Sequence, residues 1–229
     1  MQSMTWPRPL EPGEHAPSFL LPSVHRDGTI TLDDYRGRSN LMVGFFRGLA
    51  CPFCRRQIAQ LAACHEKLRQ AGVDSVGIVI TPVGRGRLYF RYHPARIALA
   101  ADETAATHRA FGVPRFEVLT DIDSDSAEWP HTVTIAQVES LRINPGGIFP
   151  EPVLASEAAA ILNLADAFEP TEEDMQVHDQ TWTQLDGLFL IDRYGVVRWR
   201  YLEAIDDPTG LGTFPSEDEL LAAASALSA

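Results

Sequence analysis

The sequence predicts an α/β protein with a mixed central sheet flanked by helices, and three observations carry that reading. Residues 41–46 (LMVGFF) and 76–80 (VGIVI) are continuous apolar runs of strand length, as in strands buried on both faces. Between them, residues 52–70 place Ile58, Leu61, Ala62 and Leu68 on one helical face, and Gly72 stands where a helix stops. Near the far end, residues 188–192 and 196–202 flank Arg193-Tyr194-Gly195, a hairpin signal. Strands alternating with helices imply parallel pairing with right-handed crossovers, and the closing hairpin adds antiparallel strands.

In chain order, residues 7–17 form a proline-punctuated lead-in. Residues 19–23 and 29–33 read as short strands around the turn-rich His25-Arg26-Asp27-Gly28. The run at 41–46 ends abruptly at Arg47-Gly48, and the run at 76–80 ends at Thr81-Pro82. Residues 87–93 read as a short helix and 97–101 as a weaker strand. Asp102 is the N-cap expected for a helix over 103–111, closed by Gly112. Ser216 and Glu219 make a capping box for a last helix over 217–227. The order β–β–β–α–β–α–β–α, a long piece, then β–β–α is what a thioredoxin-like fold requires.

The long piece, about residues 114–184, breaks the pattern. Residues 132–138 alternate like a strand, Asn144-Pro145-Gly146-Gly147 is a turn, and 156–168 and 171–181 read as helices capped by Ser156 and Thr171. A structureless loop of this length is uncommon inside a compact domain, so a folded excursion is expected. Residues 1–229 are thus read as a single thioredoxin-like domain, with a core at 13–113 and 185–229 and an acidic insertion before the C-terminal hairpin. Net charge is −12, and residues 117–179 alone hold fourteen acids against one base, Arg142. That balance disfavours nucleic acid and anionic membranes as partners, because phosphates would be repelled. Such a stretch is most often a solvated face; a docking surface is the sharper alternative. No apolar run reaches the roughly 18 residues of a membrane span. Residues 1–14 lack the apolar centre of a secretory signal. The expected compartment is therefore the cytoplasm, where a cysteine pair is more often catalytic or metal-binding than structural.

The chemistry concentrates at Cys51-Pro52-Phe53-Cys54. A thiol attacks only as thiolate, so its surroundings must favour the anion. Cys51 falls at the expected N-cap, facing unpaired N–H groups and the positive end of the helix dipole. Pro52 suits the first helical position, where its missing N–H costs nothing. Arg47, Arg55 and Arg56 are expected to add positive charge. Cys54, one turn on, is placed to resolve a mixed disulfide formed at Cys51. A zinc site from Cys51, Cys54, Cys64 and His65 is disfavoured, since all four share one helix and Cys64 lies about 15 Å from Cys54 along its axis. Cys64 is read as a small residue on a partly buried face, or a slow third redox partner. His15, His25, His93, His108, His131 and His178 show no ligand spacing and are read as ordinary. Gly84-Arg85-Gly86-Arg87 lacks the third glycine of a dinucleotide loop. No cofactor is expected.

Gly13-Glu14-His15-Ala16-Pro17-Ser18-Phe19 resembles the opening of the alkyl hydroperoxide reductase/thiol-specific antioxidant family. Phe45-Phe46-Arg47-Gly48 with Cys51-Pro52-Phe53-Cys54-Arg55 resembles its peroxiredoxin-like branch that carries a Cys-x-x-Cys. Residues 187–192 and 195–198 resemble its closing hairpin. The resemblance implies a thiol–disulfide oxidoreductase with antioxidant activity, Cys51 as nucleophile and Cys54 as resolver. It implies a hydroperoxide or protein disulfide as substrate and an external thiol reductant, thioredoxin-like or small. The alternatives are a general protein disulfide reductase and a redox-sensing module that docks a partner through the acidic insertion. The chain departs from the family pattern at its proline and threonine positions, which are Gly44 and Gly48, and at its peroxide-binding arginine, which falls near Asp186. Arg47 and Arg115 are the candidates to replace that arginine. The cis-proline position of thioredoxin relatives falls at Asp186 and Gly187.

Overall fold

The computed structural model describes residues 6–119 and 127–227; residues 1–5 of the stretch weighed as a secretory signal and Asp121, Asp123 and Asp125 of the acidic segment lie outside them. A hairpin, β1 (Leu20–Pro22) and β2 (Thr29–Thr31), precedes β3 (Asn40–Phe46), α1 (Pro52–Gln70), β4 (Val73–Val79), α2 (Val83–Tyr92), β5 (Ala98–Ala101) and α3 (Ala106–Ala110). The acidic segment contributes β6 (Glu117–Leu119), β7 (Thr132–Thr134), α4 (Ile135–Ser140), β8 (Arg142–Ile143), β9 (Val153–Leu154), α5 (Ala155–Ala165) and α6 (Glu172–Thr181). The chain closes with β10 (Gly187–Ile191), β11 (Val197–Leu202) and α7 (Glu217–Ser225).

The central sheet has the order β11-β10-β3-β4-β5. β3, β4 and β5 are parallel, whereas β10 runs antiparallel to β3 and to β11. Successive side chains of a strand point to opposite faces. Met42 and Phe46 accordingly enter one core with Ile58, Leu61 and Leu68 of α1 and Leu220 of α7. Leu41, Val43 and Phe45 enter the other, with Phe19, Ile30 and Phe111. Each fully buried side chain of this kind contributes about 1.5–3 kcal/mol.

The hairpin turn is held by the Asp192 carboxylate, which accepts from the N–H groups of Tyr194 and Val196, both at 2.9 Å. Gly195 takes φ +86° there, open to glycine at little cost.

Four expected boundaries moved. α2 begins four residues before the expected Arg87, directly after Pro82. α3 begins only at Ala106, and its N-cap is Ala105 rather than the expected Asp102; the Asp102 carboxylate instead accepts from Ala106 and Thr107 N–H at 3.3 and 2.7 Å across an intervening turn. The run at 132–138 is strand only to Thr134, because Thr134 and Gln137 close a capping box that starts α4. α5 starts at Ala155 with no side-chain cap, since β9 runs straight into it, and Ser156 lies inside the helix. Thr171 and Ser216 cap α6 and α7 with capping boxes, as expected.

The acidic segment is folded against the core. Phe116, Val133 and Leu185 form a third apolar cluster flanked by Trp129 and Trp182. Asp174, which closes the α6 capping box, also takes a forked ion pair from Arg85 at 2.6 Å. This gives Gly84-Arg85-Gly86-Arg87 a packing role: a Cβ on Gly86 would stand 2.9 Å from Val24.

Candidate active site

The cysteine pair sits where β3 hands over to α1. Cys51 is the N-cap of α1, its Sγ accepting from Cys54 N–H at 3.2 Å, and Pro52 occupies the first turn. Cys51 and Cys54 are joined as a disulfide with their Cα atoms 5.4 Å apart. Cys51 is 8% exposed and Cys54 only 1%, so an incoming molecule meets Cys51 first. Cys64 is a buried free thiol whose nearest polar partner is Glu217, at 3.8 Å. Burial, with the Glu217 charge, pushes that thiol upward, so it stays protonated.

The three arginines expected to enrich positive charge are each paired. Arg47 donates from Nη2 to both Glu203 carboxylate oxygens at 3.3 Å, and its Nε lies 3.5 Å from Asp186 Oδ1. Asp186 Oδ1 also accepts the Arg47 backbone N–H at 3.0 Å. Glu203 is fully buried and accepts further from the N–H groups of Asp186 and Gly212, at 3.1 and 2.6 Å. Arg55 is buried and donates to Leu49 O, Asn163 Oδ1 and Asp166 Oδ2 at 2.7, 2.8 and 3.0 Å, with its guanidinium 3.9 Å from the Phe168 ring centre. Arg56 pairs with the same Asp166 at 2.5 Å. Arg55 and Arg56 therefore tether the acidic segment. The α1 N-terminus, rather than unpaired guanidinium charge, is the main positive influence on Cys51. Arg115 donates to Thr183 and Gln180, which occupies it away from the family arginine's role.

Burial pushes the Asp186 carboxyl up to about 8, opposed by the Arg47 charge and assisted by that of Glu203. One guanidinium cannot neutralise two buried carboxylates, so the cluster keeps a proton. The acid at this position, where the family carries its arginine, is thereby biased towards its neutral form, which lessens its repulsion of a nearby thiolate.

A cleft of about 990 Å³ opens beside Cys51 and Arg47, walled by Phe116, Trp129, His178 and Trp182 of the acidic segment. The segment therefore borders the cysteine pair. Its helix α6 packs so tightly on the redox loop that a Cβ on Gly48 would lie 2.7 Å from Val177 Cγ1 and 3.1 Å from Ile80 O. A threonine in the family position cannot fit under α6. Gly48→Ala is expected to cost about 1–3 kcal/mol by overpacking, because β-branched Val177 has little freedom to yield. Urea unfolding checks this, and adding Val177→Ala should restore part of the loss.

A five-stranded mixed sheet with a Cys-Pro-Phe-Cys pair at the head of its central helix defines a thioredoxin-like thiol oxidoreductase. The AhpC/TSA family model matches residues 12–142, more than half of the chain, and the protein belongs to that family as a thiol-dependent oxidoreductase. No curated protein matches it by sequence. Among solved structures it is similar to the reduced 2-Cys peroxiredoxin of Plasmodium vivax (15% identity, 96% of this chain and 83% of that chain, TM-score 0.57). It is also similar to the peroxidoxin BcpB of Mycobacterium tuberculosis (13% identity, 95% and 98%, TM-score 0.56). A protein assigned as thiol:disulfide interchange protein DsbE of Chlorobium tepidum matches with 18% identity over 94% and 99% of the two chains, TM-score 0.51. At these identities the likeness concerns the fold.

Proposed function

We propose that the protein reduces hydroperoxides in the cytoplasm, with Cys51 as nucleophile and Cys54 as resolver. The carrying observation is the Cys51–Cys54 disulfide at the α1 N-terminus, with Cys51 bordering the cleft. The Cys51 thiolate attacks the outer peroxide oxygen. The S–O bond forms as the O–O bond breaks, and the departing alkoxide takes a proton to become the alcohol. Cys54 then attacks the sulfenic sulfur, expelling water and forming the disulfide. An external thiol reductant, thioredoxin-like or small, returns both thiols by exchange.

A second reading, general disulfide exchange, is favoured by the state of Arg47. Its guanidinium is engaged by Glu203 and Asp186 and is not free to polarise a peroxide. Mixing fully reduced protein separately with hydrogen peroxide, cumene hydroperoxide and an oxidised peptide disulfide separates the two. Fast formation of the Cys51–Cys54 disulfide with either peroxide is expected. Reaction with the peptide alone would replace the peroxidase reading by the exchange reading.

A further inference from the structure

One wall of the cleft contains a titratable group that the chemistry above does not use. Met175, His178 and Thr181 of α6, with its C-cap Trp182, all line the cleft. Their spacing of three, three and one is that of one helical face, so α6 turns this side towards the cleft that Cys51 also lines. His178 stands in the middle of it. The neighbouring Val177 packs on Gly48, whose carbonyl accepts the Cys51 N–H at 3.1 Å. That contact fixes the helix carrying His178 against the turn carrying Cys51. Among the described residues, neither ring nitrogen of His178 has a hydrogen-bond partner, so the imidazole is not committed elsewhere. The cleft's other charged lining groups are Arg47, Glu139 and Arg142.

We propose that His178 is the proton-transfer residue for Cys51, accepting the thiol proton and returning it to the leaving group. This rests on the peroxidase reading for its second half only. The imidazole nitrogen takes the Cys51 S–H proton, giving thiolate and imidazolium. After attack, the imidazolium returns that proton to the departing alkoxide, so thiol and hydroperoxide become sulfenic acid and alcohol with the imidazole restored. Burial holds His178 below its ordinary value, with the Asp179 charge opposing and the Arg47 charge assisting. It is therefore neutral at pH 7 and able to accept a proton. The acidic segment thus supplies an acid–base group beside the position where the family's threonine is missing.

The test compares reduced Cys54→Ser with and without His178→Gln, reading iodoacetamide alkylation at Cys51 by peptide mass from pH 5 to 9. Alkylation needs no peroxide, so its result stands even if the peroxidase reading fails. His178→Gln is expected to slow alkylation at pH 7 by about ten-fold or more and to move the profile to higher pH. Peroxide oxidation of Cys51 should slow by about 10²-fold, the lower end for lost general acid–base catalysis. Added imidazole should restore part of both rates, which repair of a merely structural defect would not do. Superimposable profiles for the two proteins, or a uniform loss with no shift and no rescue, would overturn the proposal.

Discussion

Arg47→Met is expected to destabilise the protein by about 3–5 kcal/mol, the cost of removing one partner from a buried ionic cluster. Arg47 is flanked by Asp186 and Glu203, both almost without solvent contact, and Asp186 Oδ2 has no hydrogen-bond partner at all. Without the guanidinium, two carboxylates share a desolvated space with no counter-charge. Each must take a proton or bear the desolvation cost. The intact cluster already shows this tension on one side. The Asp186 carboxyl is raised from an ordinary 3.8 to about 8, so the folded chain keeps a proton that the unfolded chain releases over that interval. Its contribution to stability is fully present below pH about 4 and falls as pH rises towards 8. Asp186→Asn should flatten this slope and make the variant the more stable protein at pH 8. Urea unfolding of the parent and both variants from pH 5 to 8.5 reads both effects. A slope unchanged in Asp186→Asn would place the retained proton elsewhere.

Local signals made α1 legible to the residue. A cysteine N-cap, proline at the first position, an apolar stripe at helical spacing and Gly72 at φ +77° all agree on Pro52–Gln70. The sheet was legible for a similar reason, since residues 41–46 and 76–80 are apolar on both faces. The electrostatics of the site were not. Arg47 meets Asp186 and Glu203 across 139 and 156 residues, and Arg55 meets Asp166 across 111. The first contact depends on β10 pairing with β3, and the second on the fold of an excursion whose interior has weak periodicity. No local pattern announces either. His178 looked ordinary for the same reason: only the packing of Val177 on Gly48 brings its helix to the cysteines.

The three cysteines should separate cleanly by function. Cys51→Ser is expected to lower turnover by about 10³-fold or more, because serine's hydroxyl is far weaker as a nucleophile at neutral pH than a thiolate stabilised by a helix N-terminus. Cys54→Ser should keep the first oxidation and lose the cycle. Its Cys51 would halt as sulfenic acid and pass to sulfinic acid under excess peroxide, with nothing one turn away to condense with it. Cys64→Ser should turn over like the parent, since that thiol lies nearly three turns along α1 and is held protonated by burial beside Glu217. Multiple-turnover peroxide consumption, followed by mass analysis of each cysteine, distinguishes the variants. The unequal exposure of the pair is expected to set the direction of recycling in the proposed cycle as well. The external reductant must attack the sulfur it can reach, which is Cys51 at 8% rather than Cys54 at 1%. A Cys54→Ser variant should therefore form a stable mixed disulfide with the reductant through Cys51, whereas the reciprocal variant should not. Capture through Cys54 instead would reverse the proposed order of the two thiols.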